Sequence, residues 1–451
     1  MKRLYLSFIA ILFLVSAYGQ EKSPVSFTLQ QAIDFAKENN PNLKSAKIAI
    51  DAARSRVNQT VATGLPQITG SADMSSNLII PTSFLPAEVF GGPSGEFVGV
   101  KFGTQYQGRA SLNVDQMIFN GSYFVGLKAS RTYTELSRKD LISTETDLVA
   151  AIKKAYYSVL VNKERLSLVE KNYGRLDSLV RQTEAMFSNG FAEKIDVNRV
   201  QVQLNNVITA RNAGRIGVEV STNLLKFQMG LGMSEPIELA DNLETIRLLA
   251  LDEDMNKDFS YSNRIEYSKI ETNLALTQLD IKNTQSQYLP SLNFYGSYGV
   301  SYGSSDFNDF IKISSRWKDL AVIGIRANIT LFDGLSKSNQ IQQKRIQYRQ
   351  LDNAKLLTKN QIDMEQVQSN LTFKNNLETL KSQKSNMDLG EEVYKVAVIK
   401  YQQGVGSNIE VINADASYKE AQTNYYAALY DALIASVDLE RAYGKILESE
   451  K

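Results

Sequence analysis

A reactive centre in this chain would have to work without imidazole or thiol, because the 451 residues include no histidine and no cysteine. Ser-His-Asp triads, cysteine nucleophiles, Cys/His zinc sites, disulfides and a lipid-bearing cysteine are thereby excluded. Carboxylate, lysine and tyrosine chemistry remain. The acids do not converge: Asp252-Glu253-Asp254 sits in a polar stretch and reads as a solvated loop. Gly91-Gly92-Pro93-Ser94-Gly95 lacks the Lys-Ser/Thr of a phosphate-binding loop and reads as a surface turn. No catalytic set, metal site or cofactor is expected. Two acids stand out by position, each six residues after a glycine: Asp196 after Gly190, and Glu410 after Gly404. An acid there favours the start of a helix. Where several copies line a constriction, it also attracts cations.

These acids recur because the chain recurs. Ile118-Phe119-Asn120-Gly121 precedes Gly190 by 69 residues, and Leu331-Phe332-Asp333-Gly334 precedes Gly404 by 70. Asp196-Val197 and Glu410-Val411 then follow at the same interval, and Leu65-Pro66 and Leu289-Pro290 open a strand-like segment ahead of each copy. An internal repeat of this length governs the fold. It divides the chain into a first repeat over 20–230, a connector over 231–261 that packs outside the helical body, and a second repeat over 262–451.

Four segments alternate with period two. They are Ile68–Leu78, Tyr106–Val114, Leu292–Tyr302 and Ala321–Leu331. In the last, Ala321, Ile323, Ile325, Ala327, Ile329 and Leu331 share one face, while Arg326, Asn328 and Thr330 share the other. A length of about ten residues suits a tilted strand crossing a bilayer, and Tyr and Phe recur near the strand ends as in interfacial girdles. Trp317 is placed with those aromatics. Periodicity alone also fits a half-buried soluble sheet. Four strands cannot close a barrel, and open edges in lipid leave unpaired N–H and C=O groups at several kcal/mol each. Membrane strands therefore imply an oligomer that pools them.

After each second strand comes a long stretch without proline, Ser122–Asn189 and Leu335–Gln403, expected as helices of about 100 Å. Gly190 and Gly404 stop them, and return helices follow over 194–229 and 408–447. In the last, Ala414, Ala421, Ala428, Ala435 and Ala442 recur every seven residues, which predicts close, left-handed supercoiled packing. Shorter helices are expected over Thr28–Val61, with a break near Pro41, and over Ser262–Tyr288.

Composition sets outer limits. The formal charge is +1, with no basic cluster, which speaks against nucleic acid. Residues 1–19 begin with Lys2 and Arg3, continue as an apolar run from Leu4 to about Ala17, and read as a secretory signal cut near Gly19–Gln20. The run is too short to span a bilayer, which takes about 20 apolar residues.

Taken together, the two LP strand openings, the two strand-to-helix junctions and the two turns resemble the TolC family of outer-membrane efflux proteins over nearly the whole mature chain. The turns are Phe187-Ser188-Asn189-Gly190 and Tyr401-Gln402-Gln403-Gly404. The resemblance implies a mainly helical fold with membrane β-structure: three protomers share a transmembrane barrel of about 12 strands, continuous with a coiled-coil helical barrel in the periplasm. It implies a passive exit duct in the outer membrane, not an enzyme. Its partners would be two further copies of itself, outer-membrane lipid, a periplasmic adaptor of the membrane fusion type, and an inner-membrane transporter of the RND, ABC or MFS type. The glycine turns, with Gly190, Asp196 and Gly404, would meet the adaptor at the periplasmic tip. In the family a tyrosine, an arginine and two aspartates close that tip. Tyr401 matches the tyrosine and Glu410 the first aspartate, but Gly406 stands for the arginine and Asn413 for the second aspartate. The arginine bridge therefore cannot form, and one ring of charge becomes neutral. A threefold axis would place three copies of Glu410 around one narrow passage.

Two other classes fit the pattern less well. A periplasmic coiled-coil scaffold or adaptor with a soluble sheet would carry one helical hairpin between β modules, not two repeats opening on paired strands. A carboxylate-dependent hydrolase on a barrel lacks a convergent acidic pair.

Overall fold

The computed structural model describes residues 25–243, 259–311 and 316–448. The expected secretory signal and the Asp252-Glu253-Asp254 run lie outside them. The chain forms two compact units, each drawing on both repeats. One takes the described residues up to Ala49, then Ser137–Glu271, and those from Ala354 on; the other takes Ile50–Leu136 and Thr272–Asn353.

The second unit is organised by a sheet. Its strands are β2 (Gln67–Ser76), β5 (Tyr106–Phe119), β7 (Ser291–Ser304) and β8 (Lys318–Asn328), antiparallel in that order. One register links all four: Ile68 opposes Val114, which opposes Gly296, which opposes Ile323. The alternation read from sequence thus becomes two continuous faces. On one lie Ile68, Met74, Leu112, Tyr298, Ile323 and Ile325, and among the described residues nothing covers most of it: Ile323 is 79% exposed and Met74 76%. On the other lie hydroxyls and amides that bond across strands. Ser71 and Ser111 hydroxyls meet at 3.0 Å, and the Ser297 hydroxyl donates to Asn113 Oδ1 at 2.7 Å. The Arg326 guanidinium stacks over Tyr295 at 4.8 Å. Strands β2 and β8 are the two edges of this sheet.

The connection between β2 and β5 contains a hairpin of β3 (Thr82–Pro86) and β4 (Phe97–Lys101). Its strands are only five residues long, with Pro86 and Gly99 within them, so alternation is too brief to register. Strand β5 extends beyond the expected Val114 to Phe119, past a bulge between Met117 and Phe119. Strand β8 runs from Lys318 to Asn328, ending before the expected Leu331 because the chain is already turning toward Asp333-Gly334. A short helix, α6 (Phe307–Ile311), lays Phe307 and Phe310 against Tyr106 and Tyr302, with Trp317 6.0 Å from Tyr302. The aromatic belt placed at the strand ends is therefore a packed cluster that includes Trp317.

Two glycine junctions that read alike in sequence differ in cause. Gly121 opens helix α3 (Gly121–Ser188), and a β-carbon there would stand 3.0 Å from Ser286, at the end of helix α5 (Ile265–Ser286). Close approach requires it. Gly334 has open space but φ +65°, followed by Leu335 at φ +66°. There the left-handed backbone requires it. Asp333 steadies the turn, accepting from the Lys337 N–H at 3.1 Å.

The first unit is helical. Helix α1 (Leu29–Asn39) starts on a Thr28–Gln31 capping box, and α2 (Pro41–Ala62) restarts at Pro41, as expected for a proline tolerated in a first helical turn. Helices α3, α4 (Lys194–Met229), α7 (Ser336–Gln402) and α8 (Asn408–Ala442) follow the predicted boundaries to within one residue, except at the end of α8. That helix stops at Ala442, short of the expected 447, because Gly444 takes φ +72°. Along its seam Ala414, Ala428, Ala435 and Ala442 are buried, and Tyr418, Ala432 and Leu439 with them. Small side chains let the neighbouring helix close in.

Strand β6 (Ile237–Leu239) pairs in parallel with β1 (Val25–Phe27), and Ile237 and Leu239 pack on the main core around Ile33, Ile152 and Tyr156. Asp241 then accepts from the Leu29 N–H at 2.7 Å and the Tyr156 hydroxyl at 2.8 Å, capping α1 from 212 residues away. The described part of the connector, 231–243, lies against the core through the half-buried Leu231, Ile237, Leu239 and Leu243. Lys153 and Glu440 pair at 2.6 Å, both buried, and tie α3 to α8.

Candidate functional site

The two helical turns are built the same way. In the first, Gly190 (φ +80°) donates to the Phe187 carbonyl and Phe191 to that of Met186; in the second, Gly404 (φ +73°) donates to Tyr401 and Val405 to Lys400. This is the glycine stop that satisfies the last carbonyls of a helix. Each return helix then receives an N-cap three residues ahead of its acid. The Ser407 hydroxyl accepts from the Glu410 N–H at 3.2 Å, and Asp196 Oδ2 accepts from the Glu193 N–H at 3.3 Å. Both acids therefore sit in a first turn, where the helix dipole favours them.

The second turn separates the residues that sequence grouped together. Glu410 and Asn413 line one groove with Lys400, Val393 and Val396. Tyr401 faces the other way, its hydroxyl 3.7 Å from Met186 Sδ on α3. Gly406 leaves no room for a side chain: a β-carbon there would stand 2.9 Å from Lys400 Cβ. The cation beside Glu410 comes instead from the preceding helix, Lys400 Nζ lying 3.4 Å from Glu410 Oε1. Sequence reasoning missed it, because the ion pair spans the turn. Both partners are about half exposed, so the pair contributes little stability.

Above the turn, a cavity of about 950 Å³ separates α3 from α7 and α8. Arg175 reaches across it, its guanidinium 5.0 Å from the ring centre of Tyr394 and 5.7 Å from that of Tyr418. The two rings stack 6.1 Å apart. Burial, with the Asp415 carboxylate nearby, pushes the Tyr394 phenol up. Only the fold unites these three side chains, from both repeats. Among the described residues, no cluster of three or more acids could hold a metal ion.

The sequence model of the outer membrane efflux protein family matches residues 32–213 and 262–445. The outer membrane protein TolC of Vibrio cholerae is 22% identical over 457 residues, covering 97% of this chain and 96% of that one. The probable efflux pump outer membrane protein TtgC of Pseudomonas putida is 21% identical, covering 92% of this chain and 82% of that protein. Among solved structures, the CmeC outer membrane channel of Campylobacter jejuni superposes with a TM-score of 0.73 at 16% identity, over 95% of this chain and 90% of that one.

Proposed function

This chain belongs to the outer membrane efflux protein family, and from that premise we propose how its parts carry material out. The protein is an outer-membrane exit duct of an efflux or secretion system. In our reading, three copies pool their sheets, β2 of one pairing with β8 of the next, to close a barrel of about 12 strands. The observation behind this is the four-stranded sheet with an uncovered apolar face, a hydrogen-bonded polar face and two open edges. Lipid satisfies the first, a water-filled lumen the second, and neighbouring copies the third.

Transport here involves no covalent step. The duct supplies a passage, and the energy comes from an inner-membrane transporter joined to it by a periplasmic adaptor. The Gly190 and Gly404 turns are the proposed adaptor contact. Glu410 and Asn413 are proposed to line the aperture with Lys400, while Tyr401 holds the second hairpin to α3 through Met186. Detergent-purified full-length protein should migrate as a trimer until heated and should conduct ions in planar bilayers. A stable, water-soluble monomer without conductance would overturn the reading.

A further inference from the structure

One row of the sheet's polar face carries unbalanced charge. Asp73, Arg109, Ser301 and Lys318 lie side by side across β2, β5, β7 and β8, in register. The next polar rows toward the helix junctions hold Ser71, Ser111, Gly299 and Leu320, then Thr69, Asn113, Ser297 and Val322, with no charge at all. Beyond them, Asp115 and Arg326 offset one another. The surplus of the polar face is therefore confined to the row at the far strand ends: two cations against one acid. A groove of about 600 Å³ runs along it, lined also by Gln107 and Arg316. Arg316 is engaged by Asp309, whereas Arg109 and Lys318 form no ion pair among the described residues.

We infer that this row is a selectivity ring at the outlet of the duct, favouring anionic solutes over cationic ones. The inference rests on the trimeric reading above. Three copies would repeat the row around one lumen, with one surplus positive charge per chain. Rings of charged side chains set the sign of the ions a pore admits. Counterions screen the ring over about 10 Å at 0.1 M salt, about 30 Å at 0.01 M and about 3 Å at 1 M, so its reach into the lumen is longest in dilute solution and fades in concentrated salt. Arg109 and Lys318 are thus specificity-determining residues for passage. Pairing between Lys318 and Asp73 of a neighbouring copy would not alter the count, because that acid is already in it.

The test is the chloride-to-potassium permeability ratio of the full chain in planar bilayers under a dilute KCl gradient. Arg109→Gln with Lys318→Gln should lower the ratio by about twofold or more, and the difference should vanish near 1 M salt. Asp73→Asn should raise it, and Arg109→Lys with Lys318→Arg should leave it unchanged. The opposite sign expected of Asp73→Asn separates selectivity from damage to the barrel. Channels that conduct normally with the same ratio in all variants would overturn the ring. A parent protein that conducts nothing would overturn the trimeric assembly itself, and the ring with it.

Discussion

Glu410 works under two constraints at once. It sits at a helix start, capped through Ser407, and it lies in a groove beside Lys400. The first role needs only its backbone N–H and tolerates a neutral side chain; the second needs the charge. Glu410→Gln should therefore leave folding nearly intact while weakening block of single channels by divalent cations applied from the periplasmic side. An unchanged block would place Glu410 away from the passage. Gly404 has the simpler task of φ +73°, so Gly404→Ala should cost about 1–2 kcal/mol in the stability of the hairpin, read from local hydrogen exchange. Both residues were legible in sequence because turn chemistry is local. Lys400 and Arg175 were not: their partners lie across a turn or on another helix, and no spacing encodes a cation standing over two tyrosines.

The long helices were legible for the same reason as the turns, since uninterrupted helical periodicity and a terminal glycine are features of the chain itself. What escaped were elements defined by distant partners. Strand β6 has three residues and exists because β1 lies beside it. At this scale, packing fixes the costs. Ala432 is fully buried on the α8 seam, and Ala432→Leu should destabilise the helical unit by about 1–3 kcal/mol in denaturant unfolding. Lys153→Met would remove the ammonium 2.6 Å from the buried Glu440 carboxylate, at about 3–5 kcal/mol. Tyr157 supplies a pH signature. Burial, with Glu440 and Asp241 nearby, pushes its phenol from 10.0 up to about 12. The folded state thus holds this proton more tightly, so the stabilisation is complete below pH 10 and is lost as pH rises through about 12. Tyr157→Phe should flatten that part of the alkaline unfolding profile.

For the whole molecule, the decisive feature was visible early: four alternating strands of membrane-crossing length are too few to enclose anything. The sequence could not say which strands pair, because register is set between segments nearly 200 residues apart, such as β5 and β7. The structure supplies the order and leaves β2 and β8 unmatched. Ile323→Arg, on the uncovered apolar face, should cost about 2–4 kcal/mol at mid-bilayer depth, and should reduce the heat-resistant trimer recovered from membranes. The unmatched margins also carry a genetic consequence. In the proposed trimer, a chain whose β8 margin is spoiled still offers a sound β2 margin, so it can join two healthy siblings and leave a gap in the finished wall. In a cell making equal amounts of both, only about one wall in eight would be free of the faulty member. Such alleles should therefore be dominant, their harm outrunning their dosage, whereas alleles that abolish the chain altogether should be recessive.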